Sequence, residues 1–293
     1  MNSRITFPMS LDITPANSID LARLPGLLDG WSHRHHLVKF ERTARQNTYR
    51  VFASIETVLY RLADWLVGEL LEIPEFYAPE IAYRDILIVP VVSAHHFQGQ
   101  SDEQVVSAHV KIALIHCDRN RPARVSNLLT VGVVEPDVAA HVSHAITAIL
   151  DRRADSGSPI FGARIRLLEA EGDNPEAIEA ATKEALNKAL ARACVPHEPI
   201  MSLRITAPEG AAREIANDLS ARRGKVSHRS CAEGSVTLEA LVPCATLFGY
   251  EANLQAITKA DGAFSYSLSH YAPVPGARDP VLPDSFRPAL SVR

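Results

Sequence analysis

Apolar positions along the chain switch between a spacing of two and a spacing of three to four, and the switches predict a repeated order of strands and helices. Ile5 to Ile13 reads as a strand, Ile19 to Leu28 as a helix, and Leu37 to Glu41 and Thr48 to Ala53 as paired strands. The next helix is the most regular in the chain, because Ile55, Val58, Leu59, Leu62, Leu66 and Leu70 fall on one stripe. Pro79 to Arg84 closes this segment as a strand. The order is β-α-β-β-α-β.

The same order returns beyond Glu198. Ser202 to Thr206 alternates as a strand, and Pro208 opens a helix with Ala212, Ile215 and Leu219 on one face. Gly224 stops it. Lys225 to Arg229 and Val236 to Leu241 form two strands around the Glu233-Gly234 turn. Pro243 starts a second helix, which buries Leu247, Leu254 and Ile257 and ends near Asp261-Gly262, and Ala263 to Ser269 is the last strand. Between the two segments stand strands at Ala108 to Ile112 and Ala163 to Leu168 and helices at Asp137 to Leu150 and Pro175 to Arg192. Both end segments read as ferredoxin-like split βαβ units, an architecture that carries no function by itself.

Composition narrows the function classes. In 293 residues, 46% hydrophobic and 22% charged positions leave enough apolar material for a core. Lys+Arg of 30 against Asp+Glu of 34, a net charge of -4, argues against coating nucleic acid by bulk attraction, so any RNA contact is local. Cys117, Cys194, Cys231 and Cys244 lack Cys-x-x-Cys spacing and suit buried thiols in a reducing cytoplasm. No signal peptide is apparent, and the longest apolar run, Ile86 to Val92, is too short to span a bilayer. A cytoplasmic protein without membrane or DNA partners is expected.

Several stretches carry a resemblance. Glu198 to Glu209, Phe248 to Leu254 and Phe264 to Pro275 resemble the last domain of bacterial elongation factor G. Pro79-Glu80-Ile81-Ala82-Tyr83-Arg84 resembles the segment with which the third domain of that factor ends, and Gly132-Val133-Val134-Glu135-Pro136 falls within the match to its fourth. The resemblance implies an α/β (α+β) protein in which two ferredoxin-like βαββαβ domains flank a ribosomal-protein-S5-like α/β domain. The expected parts are 1–84 (third domain), 85–197 (fourth), 198–275 (fifth) and a proline-rich tail or docking strap at 276–293.

The departures from the family are equally specific. Binding GTP requires a Gly-x-x-x-x-Gly-Lys-Ser/Thr loop, and neither it nor Asp-x-x-Gly nor Asn-Lys-x-Asp occurs. The glycine-rich tip loop of the fourth domain is replaced by Ala94 to Gln100, with one glycine. The second tip loop is replaced by an acidic loop, Glu169 to Asn174, which would repel phosphate. Where the family's third domain has its Gly-Met-Gly-Glu-Leu-His-Leu turn, Val51 to Thr57 stands here.

No catalytic, cofactor or metal site is expected. His33 to His36 and His95, His96 and His109 lack nearby cysteines or a helical His-x-x-x-His pair, and His116-Cys117 are strand neighbours whose side chains point apart. The candidate rRNA-binding residues are Arg222, Arg223, Lys225, His228 and Arg229 at a helix exit, with Tyr250 for base stacking and Phe248 in the core. The bland alternative is a cationic helix C-terminus complementing its dipole. The resemblance implies a non-catalytic module that binds the large ribosomal subunit (rRNA, stalk base) or a translation factor. The alternatives are the C-terminal half of a split translocase working with a separate GTPase chain, or a repurposed scaffold.

Overall fold

A computed structural model describes residues 7–35, 38–43, 45, 47–101, 104–126, 134–172 and 174–277. The elements begin with β1 (Met9–Thr14), α1 (Ser18–His35), β2 (Val38–Arg42), β3 (Tyr49–Ala53), α2 (Glu56–Glu69), β4 (Glu75–Phe76) and β5 (Glu80–Ile81). Next come β6 (Arg84–Leu87), β7 (Val91–Ser101), β8 (Gln104–His116), β9 (Arg124–Val125), α3 (Pro136–Asp155), β10 (Ile160–Phe161), β11 (Ala163–Gly172) and α4 (Pro175–Ala193). The chain continues through β12 (Cys194–Pro208), α5 (Ala212–Ala221), β13 (Lys225–Ala232), β14 (Ser235–Pro243), α6 (Tyr250–Thr258) and β15 (Ala263–Pro273). Two compact units result. One joins the residues up to Tyr83 with Glu198–Ala272, and the other holds Arg84–His197 with the segment from Pro273.

The first unit contains both β-α-β-β-α-β segments. In the first segment the strand order is β2-β3-β1-β4, with β5 also on β1, and in the last segment it is β13-β14-β12 with β15 on the free side of β12. Each is the order of a ferredoxin-like sheet, as expected. The α2 stripe explains the first packing: Leu59, Leu62 and Leu66 are fully buried, each stabilising by about 1.5–3 kcal/mol. Helix α1 runs past Leu28 to His35 although Pro25 removes one backbone donor inside it. Burial of Leu24, Leu28 and Trp31 on one face offsets a proline cost of about 3 kcal/mol.

Strand β1 is covered on both faces, so its polar positions need partners. Asp12, buried, accepts from Arg50 Nε and Nη2 at 2.6 and 2.9 Å across the β1–β3 register. The two segments of the unit also bond to each other. Thr57 Oγ1 donates to Glu251 Oε2 at 2.7 Å, and the Gly249 amide donates to Glu56 Oε1 at 2.5 Å. These two bonds join the first turn of α2 to the first turn of α6.

The second unit has a sheet of order β7-β8-β11-β9 with α3 and α4 packed on it, and β6 pairs with β10 and with Cys194–His197. Two sequence expectations are corrected here. Ala94 to Gln100 is no loop but lies inside β7, paired with β8 in unbroken register. Glu169 to Gly172 continues β11 beyond a bulge after Leu167, and Asp173 lies outside the described residues. Glu169 also accepts from Lys111 Nζ at 2.7 Å, so its charge is compensated, and that bond outweighs burial in holding its carboxyl below the usual range. Residues 278–293, most of the expected tail, and Gly132 and Val133 of the expected junction lie outside the described residues.

Candidate functional site

The candidate basic segment begins where α5 ends. Ile215 and Leu219 are buried, which fixes the helix on the sheet and forces the chain to turn within a few residues of Leu219. Arg222 caps α5, Arg223 takes a left-handed conformation at φ 60°, and the Gly224 amide donates to the Leu219 carbonyl at 2.7 Å. A Cβ on Gly224 would stand 2.7 Å from that carbonyl oxygen and 2.9 Å from Val242 Cγ2, so only glycine fits. The chain then leaves as β13, an edge strand on β14.

Arg222 faces inward. Its Nε donates to Asp218 at 3.0 Å and its Nη1 to the carbonyls of Thr246 and Phe248 at 2.6 and 3.2 Å. The Thr246 hydroxyl returns a bond to the Arg222 carbonyl at 2.7 Å, and the guanidinium stands 5.3 Å from the centre of the Tyr250 ring. Arg223 donates to both oxygens of Glu198, a residue only 3% exposed. The hydrogen bond to Glu198 raises the Arg223 pKa, against burial. A buried carboxylate needs such a partner, because an unpaired one costs several kcal/mol.

Tyr250 requires a correction. It is 2% exposed and packs edge-on against Phe264, with ring centres 5.4 Å apart, so it is not a surface for stacking a base. Burial first, and then Asp218, push its hydroxyl pKa up, and that hydroxyl has no hydrogen-bond partner among the described residues. Phe248, expected in the core, packs against the buried cluster. The expectation of buried thiols is also corrected. Cys244 is buried with its pKa raised to about 12 by burial, whereas Cys231 is exposed on β13.

What stands exposed is β13. Every residue from Lys225 to Ala232 is exposed, and the side chains of Lys225, His228 and Arg229 have neither hydrogen bond nor ion pair among the described residues. A register shift between Val226 and His228 breaks simple alternation, and Ser227 Oγ donates to the Glu239 carbonyl at 3.2 Å there. Glu233 and Gly234, at φ 51° and 77°, make the tight turn into β14. Three of the six candidate residues therefore present a polar edge, and the other three hold that edge in place. The partners Glu198 and Thr246 gave no signal in the sequence, whereas Asp218 stands four residues before Arg222, a spacing that places the pair on one helix face.

Other sites are weaker. The cleft lined by Thr206, Pro208, Glu233, Gly234, Asp261 and Gly262 holds two carboxylates and no basic side chain, which does not suit an anion. His33 is tied to the Asp29 carbonyl, His95 Nδ1 accepts from Lys188, and the His96 and His109 rings stand 6.4 Å apart. No group of three or more His, Cys, Asp or Glu is arranged for a metal ion among the described residues. No described helix is long and apolar enough to cross a membrane.

Comparison with known proteins fits this reading of the C-terminal domain. Residues 195–281 match the family model of the Elongation factor G C-terminus. Elongation factor G of Ruegeria pomeroyi is 25% identical over 219 residues, which is 73% of this chain and 31% of that relative, so the chain spans under a third of its length. A solved structure of a Thermus thermophilus protein shares the fold at a TM-score of 0.59 and 23% identity, covering 94% of this chain and 42% of the other. The resemblance to elongation factor G read from the sequence is therefore upheld, with residues 195–281 similar to the C-terminus of that family.

Proposed function

We propose that the chain is a ribosome- or translation-factor-binding module that works in the cytoplasm without catalysis, with β13 as its RNA-facing edge. The observation that carries this reading is the exposure of Lys225, His228 and Arg229 on one edge strand of the domain matched to the Elongation factor G C-terminus. Two fixed cations and a titratable imidazole suit a few rRNA phosphates, and a net charge of -4 confines attraction to such a patch. Arg222 and Arg223 act as positioning residues. The proposed docking site is near the stalk base of the large subunit, where the chain would compete with translational GTPases. Co-sedimentation with ribosomes across a salt series, with and without elongation factor G, tests this. Salt-sensitive pelleting that elongation factor G displaces is expected, and an absence of pelleting at low salt overturns the reading.

A second reading has its own observation. Asp20, at the start of α1, accepts from the amides of Leu71 and Glu72 and so ties the chain after α2 to the first turn of α1, where Leu71, Ile73 and Ile19 are found. These three side chains are 64%, 72% and 59% exposed. Exposed apolar side chains on this segment would suit a separate GTPase chain packing there. An isolated GTPase half of elongation factor G should then form a complex with this chain, and Leu71→Asp should abolish it.

A further inference from the structure

Among the described residues the sheet of the second unit ends at β7, whose strand partner is β8 and whose inner face is packed by α4. An open edge is a template for another strand, and proteins usually blunt it with charge, proline, shortness or a covering element. The other edges follow that rule. β2 carries Lys39, Glu41 and Arg42, and β13 carries Lys225 and Arg229. β4, β9 and β10 are two residues long. β15 has no Lys, Arg, Asp or Glu, but its Phe264 and Tyr266 pack against the buried core and line a small cavity with Ile55, Glu56 and Thr57.

β7 breaks the rule. It runs eleven residues, Val91–Ser101, with no Lys, Arg, Asp, Glu or Pro. Lys188 on α4 donates to His95 Nδ1 at 3.0 Å on the inner face, and Lys111 of β8, opposite Ala94, donates to Glu169 at 2.7 Å. We propose that β7 pairs antiparallel with β7 of a second copy of this chain, joining two four-stranded sheets into one.

Symmetry fixes the register. With the two-fold axis at His96, the midpoint of the strand, His96 faces its own copy and Ala94 faces Gln98 of the other copy. Ala94, His96 and Gln98 are all exposed, on the face away from α4. No Lys, Arg, Asp or Glu of β7 meets a like charge along the seam. The helices fit as well: α4 lies over β7 and β8, so two such helices would stand about two strand spacings apart, roughly 9–10 Å, an ordinary interhelical distance.

Analytical ultracentrifugation of the full chain tests the pairing. The wild type should sediment at twice the 32.0 kDa chain mass. Ala94→Lys with Gln98→Lys sets like charges opposite each other twice and should weaken the dimer at least tenfold. Ala94→Lys with Gln98→Glu sets opposite charges there and should keep it. Amide exchange along wild-type β7 should slow as protein concentration rises. A wild type that stays monomeric at the highest attainable concentration overturns the proposal. So does a dimer that both double variants affect alike.

Discussion

Arg223 and Glu198 form a two-pronged ion pair, Nη1 to Oε1 at 2.8 Å and Nη2 to Oε2 at 2.9 Å, that joins the exit of α5 to β12. The carboxylate end is buried and the guanidinium is 42% exposed, so the pair is asymmetric. Removing the arginine leaves a buried charge, whereas removing the carboxylate leaves a cation that water can reach.

Arg223→Ala is therefore expected to lower unfolding free energy by about 2–3 kcal/mol, at the low end for a broken buried pair because one partner is wet. Glu198→Gln should cost less. Urea unfolding followed by circular dichroism checks both, and equal losses would contradict the asymmetry.

Lys225→Ala and Arg229→Ala should behave in the opposite way. Both side chains lack internal partners, so stability should change by less than about 0.5 kcal/mol. Ribosome affinity should fall, and the salt slope should drop by about 1 for each lost phosphate contact. A destabilised double variant with an unchanged salt slope would assign these residues to the fold instead.

Gly224→Ala forces a Cβ against the Leu219 carbonyl and Val242. A loss of about 1–3 kcal/mol is expected, as for other overpacked sites. Thermal unfolding measures it. A neutral result would mean that the turn after α5 relaxes freely.

Asp20 gives a pH-dependent prediction. Burial pushes its pKa up, but hydrogen bonds from the Leu71 and Glu72 amides and from Asn17, with the Arg23 charge, outweigh that and hold it below the ordinary value. A depressed folded pKa means stability that is complete above the unfolded pKa and lost as pH falls through the folded one. Asp20→Asn should thus lower Tm at neutral pH, and the gap to the wild type should close in strong acid. A gap independent of pH would show that the carboxylate charge is not what holds Leu71 and Glu72.

The C-terminal segment was the most legible part of the sequence. Ala212, Ile215 and Leu219 on one face, Gly224 after them and Gly234 in the turn each reflect a local requirement, and local requirements show in local pattern. Helix α1 runs past the expected end at Leu28 because Trp31 extends the face of Leu24 and Leu28 and packs on Trp65 of α2. Ala94 to Gln100 and Glu169 to Gly172 read as loops because polar residues fill many of their positions; the first stretch pairs within a hairpin to β8, and the second pairs with Ala108 to Lys111, far away in sequence. Tyr250 illustrates the same limit. Nothing in the residues around it announces Phe264 or the guanidinium of Arg222.

The bonds from Glu56 to Gly249 and from Thr57 to Glu251 have a consequence for synthesis. The first segment leaves the ribosome long before the residues that complete its unit, so the face of α2 that meets α6 waits unclosed while the middle of the chain is made. Closure over so long a loop is entropically costly and slow. A nascent chain stalled before Glu198 should therefore remain protease-sensitive around Ile55 to Thr57 and become protected only after α6 emerges.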